Sequence, residues 1–452
     1  MGATPRAGVS RIELHPELGA SMMGYGARKG TAAARHDPLF VRALYVEAGG
    51  RLLLIEIDVC LIAVAQATAL RDRIARRTGL ASEQVMIGCI HTHSGPETGL
   101  LPVLLGRGTP TEVEPLFDAV VEAAVQAFEA AEPVRLGSGT APIRIGRNRR
   151  VEEGSVDPHA VVARIDRADG SPLAVLYVHG CHPTALGHDN LHFSADWPGT
   201  ASRVVEEALP GAVAIFVLGA HADVDPRTRG LLDLAIPEQS VGVGFEEMEA
   251  LGREVGTAVA NCAGALETRP DFLVASGNTR VQIPVHGADG RDDHLNDRRR
   301  DALRALDLPE DLEPSTAEWY RLEREGTAGL SRREIRERLS RVRLLLRDRT
   351  ANRIAQGLRP EVEVQVLRLG PIWLLGLPLE VTVDVGRAWR QATGDLGSIV
   401  SIANGWMRYL PCAEHYRERD AALHYEILNA TFVPEADGLL VTAGLELRSE
   451  LA

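Results

Sequence analysis

Four apolar runs constrain this chain more than any other feature, because each has the length of a strand and each ends in polar, chemically capable residues. Val85 to Ile90 leads into His91-Thr-His93-Ser-Gly-Pro, and Leu173 to Val178 into His179-Gly-Cys-His182-Pro-Thr. Val213 to Leu218 leads into Gly219-Ala-His221-Ala-Asp223-Val-Asp225-Pro, and Ile372 to Leu377 into Pro378-Leu-Glu380. Helical and strand patterns alternate from beginning to end, which predicts an α/β fold with mixed central β-sheet layers flanked by α-helices. In such folds ligands bind at the carboxyl ends of strands, so these four ends can converge on one pocket.

The elements around them are consistent with that class. Two apolar runs broken by Gly49-Gly50 predict a β-hairpin feeding a buried strand. Ala65 to Thr78 and Glu114 to Ala131 carry helical spacing, the second with Leu116, Val120, Ala124 and Phe128 at four-residue steps. A further helix is predicted from Asp196 through Leu209, with Asp196 as its N-cap and Pro198 just inside it. From about 290 to 358 the sequence turns highly charged and helix-rich, with a capping box at Ser331 and Glu334. It reads as a charged helical insertion, either a lid or a surface pair of helices, in a single catalytic domain spanning 1–452.

A hydrophobic content of 45% can fill a sizeable core, while the net charge of -13 argues against nucleic-acid or anionic-membrane binding and for a small-molecule substrate. The start, MGATPRAGVSRIEL, lacks the apolar core of a secretory signal, and no later apolar run reaches the roughly 20 residues of a transmembrane helix. The expectation is a cytoplasmic chain. Five cysteines without a C-x-x-C suggest reduced thiols rather than a disulfide framework or a zinc ribbon.

Each polar cluster alone has an ordinary explanation. An H-x-H pair is commonly a loop feature, although His91 and His93 in an extended segment would point the same way. His182 competes with His179, His188, His192 and His221, and spacing does not choose among them. A carboxylate at Glu380, at the end of a buried strand, needs a cation or a metal partner. Catalytic zinc takes neutral imidazoles and anionic oxygens and acidifies a water, a requirement that two histidines, a glutamate and a further oxygen donor meet.

The order of HTHSGP, HPT, SADWPG, ADVDP, LPLE and ANGWMRYLPCAEHYRERDAALHYE resembles that of neutral/alkaline non-lysosomal ceramidases, over essentially the whole chain as that family's catalytic N-terminal domain. The resemblance implies one zinc ion per chain held by His91, His182, Glu380 and Tyr409. It implies His93 as a proton carrier beside the substrate amide, and Arg149, with Arg150 as its adjacent rival, as a ligand for the substrate's oxygen or headgroup. Tyr425 is implied as a second tyrosine donating to the developing oxyanion. Two departures stand out. Asp225 occupies the place of the family's serine and is open to three roles: binding a cationic group, serving as a base, or holding a loop. Glu97-Thr98 replaces glycines after HTHSGP, which predicts an acidic rim. The reading is a zinc-dependent amide hydrolase acting on a lipid amide or on a smaller, more polar one. A metal-dependent lyase or cyclising enzyme with Asp225 as base, or a catalytically silent metal-binding protein, are the alternatives.

Overall fold

The computed structural model describes residues 4–26, 28–100, 112–229, 242–285, 360–418 and 424–452. The charged stretch expected as a helical insertion, with its capping box at Ser331, lies outside the described residues.

The chain opens with β1 (Arg6–Leu14), β2 (Ala34–Arg35), β3 (Leu39–Glu47) and β4 (Arg51–Ile57), followed by α1 (Val64–Thr78) and β5 (Val85–Cys89). Next come α2 (Glu114–Glu129), β6 (Glu132–Pro142), β7 (Gly146–Asn148), β8 (His159–Arg167), β9 (Pro172–His179) and β10 (His192–Phe193). Then follow α3 (Asp196–Ala208), β11 (Val213–Leu218), β12 (Val224–Pro226), α4 (Phe245–Ala265) and β13 (Val274–Gln282). The last third holds β14 (Glu361–Leu369), β15 (Ile372–Leu377), β16 (Glu380–Val381), α5 (Val383–Thr393), β17 (Gly397–Ser401), β18 (Tyr409–Leu410), α6 (Tyr425–Leu428) and α7 (Ala436–Leu451).

An eight-stranded sheet runs in the order β11-β9-β8-β6-β1-β3-β4-β5, and a four-stranded sheet in the order β13-β14-β15-β17. Both are mixed: β4 and β5, β9 and β11, and β15 and β17 pair in parallel, and the remaining ladders are antiparallel. The hairpin at Gly49-Gly50 forms as expected, with Glu47 opposite Arg51.

Burial explains the continuous apolar runs. Along β3, Val41, Ala43 and Tyr45 join a core shared with α1 through α4, while Leu44 and Val46 join a second core shared with Leu367, Leu374 and Val400 of the four-stranded sheet. A third core packs the far face of that sheet, through Val364, Leu375 and Ile399, on Trp389 of α5 and Leu440 of α7. Strands covered on both faces lose the alternation that marks a half-exposed strand. The result is four layers: helices, sheet, sheet, helices.

Two sequence expectations change at the local level. Asp196 begins α3 but does not cap it. Its backbone is left-handed, with φ 58°, and its carboxylate accepts one amide of its own helix, Trp197, and two of the preceding turn, Ala185 and Leu186, at 2.8–3.1 Å. It therefore ties down the turn that follows His182. In α2 the buried face centres on Phe117, Val120, Val121 and Ala124, with Leu116 and Phe128 only at its margin.

Candidate metal centre

The two edge strands of the large sheet, β5 and β11, lie against one another, so the sheet curls until its ends meet. The segments leaving β5, β9, β11 and β15 thereby reach one point. There His91, His182, His221 and Glu380 bring one donor atom each to within 4.8 Å of the others, and all four residues are 2% exposed or less.

The donor atoms are aimed by the backbone. His91 Nδ1 lies 2.8 Å from the Cys60 carbonyl, His182 Nδ1 3.1 Å from that of Val224, and His221 Nδ1 3.1 Å from that of Gly219. A carbonyl only accepts, so each Nδ1 carries the proton and each Nε2 presents a lone pair. These Nε2 atoms lie 3.5, 3.6 and 3.7 Å from Glu380 Oε2 for His91, His182 and His221 respectively. His182 Nε2, His221 Nε2 and Glu380 Oε2 are buried without a hydrogen-bond partner. The other oxygen, Glu380 Oε1, accepts the Trp406 indole N–H at 2.8 Å. Convergent, partnerless imidazole lone pairs around one carboxylate oxygen fit a divalent cation.

The electrostatics of His182, His221 and Glu380 agree with that chemistry. Burial, followed by repulsion from His182, pushes His221 down to about 3, and burial lowers His182 as well, so both rings are neutral as ligands must be. Burial opposes charge on Glu380, but His91 and the neighbouring imidazoles hold its carboxyl well below the usual range. His91 is the exception: it rises against its own burial because Cys60 and Glu380 sit beside it.

Around this point stand the other residues singled out in the sequence. His91 and His93 do come together, with ring nitrogens 3.2 Å apart, though not through an extended segment: His91 has φ 65°, a strained left-handed conformation. Burial, then His91 and His182, lowers His93. Tyr409 in β18 is the register partner of Glu380 in β16, and burial together with the Glu380 charge raises its phenol. Tyr425 packs edge-on against Tyr409, with ring centroids 5.4 Å apart, and beneath the Arg149 guanidinium.

Of the two arginines, Arg149 is the one that pairs with Asp225, which lies beside His182. Its Nε donates to Glu426 at 2.8 Å and one Nη to Asp225 at 3.4 Å, while Nη2 is buried without a partner. Arg150 turns away into a separate cluster with Glu418, His415 and Asp223. Asp225 lies 3.5 Å from both Thr184 Oγ1 and His182 Nδ1. Burial would raise Asp225, yet Arg149 holds it below the ordinary carboxylate range. Glu97 itself forms no acidic rim: it is 1% exposed and folded inward, with its amide on the Ser21 carbonyl.

Among the competing histidines, His179, His188 and His192 stay outside the cluster and His221 is inside it. The signal was present, since His221 follows the β11 run as His182 follows β9 and His91 follows β5. Trp406, Glu426 and Cys60 had no such signal; their places depend on tertiary contacts. Cys60, His91 and His93 also form a small group of their own. Among the described residues no helix is long and apolar enough to cross a membrane.

The chain resembles known proteins over most of its length. The chain is 24% identical over 463 residues to a neutral ceramidase of Mycobacterium tuberculosis, covering 88% of this chain and 70% of that protein. It is 25% identical over 462 residues to a neutral ceramidase of Pseudomonas aeruginosa, covering 93% of this chain and 68% of that one. The crystal structure of a neutral ceramidase from Pseudomonas aeruginosa superposes with a TM-score of 0.69 at 22% identity, covering 99% of this chain and 75% of that chain, which establishes the shared fold. The sequence model described as neutral/alkaline non-lysosomal ceramidase, N-terminal, matches residues 8–232. By that match and those relatives, the chain belongs to the neutral/alkaline non-lysosomal ceramidase family.

Proposed function

We propose that the chain is a zinc-dependent hydrolase that cleaves an amide C–N bond, in a lipid amide or in a smaller and more polar relative of one. The observation that carries this reading is the set of buried lone pairs with no partner at His182, His221 and Glu380, each aimed by a second contact at the same point. His91, His182 and Glu380 supply the holding groups, with Tyr409 alongside. An ion there supplies Lewis-acid polarisation of a carbonyl oxygen and acidifies water.

The chain's own groups provide the rest. Hydrolysis adds water across the amide, so a proton must leave the water and one must reach the departing nitrogen. His93, 3.2 Å from His91 and held neutral by burial, is placed to take the first and return it. The partnerless Nη2 of Arg149 and the Tyr425 phenol are the donors for the oxygen that gains charge. Asp225, the base that a lyase or cyclising reaction would need, is already engaged by Arg149 and Thr184, which favours hydrolysis. The relatives' name, neutral ceramidase, makes an N-acylated sphingoid base the first amide to try.

The test is metal analysis of the purified chain alongside hydrolysis of a short-chain fluorescent ceramide and simpler N-acyl amines. The expected result is about one zinc per chain, lost in His91→Ala and His182→Ala, with chelator-sensitive release of acid and amine detected by mass spectrometry. Zinc content unaffected by either substitution, or products without an added water, would overturn the proposal.

A further inference from the structure

We infer that His221 is itself a metal ligand, adding a third imidazole to the two imidazoles, the carboxylate and the phenol that the family resemblance implies. The inference rests on the metal reading above and adds a residue to it.

The geometry makes no distinction between His221 and the two expected histidines. Its ring centroid is 4.4 Å from that of His182 and 5.2 Å from that of His91, while His91 and His182 are themselves 5.3 Å apart. Its Nε2 is 3.7 Å from Glu380 Oε2, within 0.2 Å of the other two. The residue is 0% exposed, and the Gly219 carbonyl on Nδ1 fixes the tautomer that leaves Nε2 as a bare acceptor. That Nε2 has no hydrogen-bond partner, and the polar atom it faces is Glu380 Oε2, itself without a partner.

The loop carrying His221 is also tied to the strand carrying Glu380. The Ala222 amide donates to the Val381 carbonyl at 2.9 Å, and the Val383 amide donates to Asp223 Oδ1 at 2.8 Å. Two hydrogen bonds across the pair set the spacing between the imidazole and the carboxylate. Such outer contacts orient the groups that bind metal. His179 supplies the contrast: it is equally buried and its Nε2 is also without a partner, but it packs edge-on against Trp197 and stands outside the convergent group.

The experiment uses Co²⁺ as the probe on the full chain stripped with chelator, comparing wild type, His221→Ala, His221→Gln and His179→Ala. The expected result is that wild type and His179→Ala take up Co²⁺ with matching affinity and visible d–d absorption. Both His221 variants should bind roughly 100-fold more weakly or worse, with an altered spectrum, while far-UV circular dichroism stays unchanged. X-ray absorption on the wild-type cobalt protein should count three imidazoles, a readout independent of how the variants fold. Two imidazoles, or a His221 variant with wild-type affinity and spectrum, would remove His221 from the centre and leave the metal reading standing. A wild-type chain that takes up no Co²⁺ would overturn both.

Discussion

Trp406 and Asp225 act on the centre through other side chains. The Trp406 indole occupies Glu380 Oε1, leaving Oε2 as the oxygen that faces the three imidazoles. Trp406→Phe keeps the ring and deletes the donor. Its expected effect is a loss of about 10- to 100-fold in metal affinity, read by competition with a chromophoric chelator. Asp225 shares the buried Arg149 guanidinium with Glu426. Truncation to alanine leaves a buried cation short of one carboxylate and should cost about 3 kcal/mol in urea unfolding. Asp225→Ser, which restores the hydroxyl of the family pattern, should increase turnover of short-chain ceramide relative to smaller amides if Asp225 sets specificity. Unchanged relative rates would make its role purely structural. The sequence offered three roles for this carboxylate, and only the neighbouring guanidinium narrows them.

Elements matter here through how closely their ends approach. β9 and β11 pair in parallel and release His182 and His221 from adjacent ends. The crossing is so tight that a β-carbon at Gly180 would sit 2.0 Å from the Ala220 carbonyl oxygen. Gly180→Ala must therefore push the two loops apart, at about 1–3 kcal/mol of overpacking. The chain should fold with unchanged far-UV circular dichroism but lose most of its bound metal; wild-type metal content in this variant would show that the two loops are not rigidly coupled. A second device is the β17 to β18 connection, which places Ile402, Asn404 and Arg408 at positive φ. Asn404 pins that connection to Ile87 of β5 through paired contacts at 2.7 and 3.0 Å. This is how a segment more than 300 positions downstream of His91 delivers Trp406 to the same site. Strain of this kind persists where surrounding contacts over-determine it.

At the scale of the whole molecule, the centre draws on both sheets: His91, His182 and His221 leave the eight-stranded one and Glu380 leaves the four-stranded one. A ligand shared between layers should stabilise the entire fold, by about 4 kcal/mol at a thousand-fold excess over Kd. The expected outcome is a thermal midpoint that falls on chelation and recovers with added zinc in wild type, and a midpoint insensitive to both in His91→Ala. Equal midpoints with and without zinc in wild type would place the ion outside the folded core. The four-layer arrangement also explains why strand runs rather than alternating patterns marked the sequence, since the inner sheets meet face to face through Leu54, Leu176 and Leu374.

By itself the sequence determined the α/β class and the strand ends that carry chemistry, and its resemblance to a family implied a histidine-and-carboxylate centre. Apolar run length, turn residues and polar cluster order are local properties, and local properties survive without a tertiary frame. Tertiary structure alone decided that His221 joins the cluster while His179 does not, and that Glu97 is interior. It also decided that Asp196 ties the neighbouring turn at Ala185 and Leu186 as well as the first-turn amide of Trp197. Each of these depends on which way one side chain points across a gap between elements remote in sequence. That direction is set by sheet curl and by loop conformations such as φ 65° at His91, which spacing does not encode.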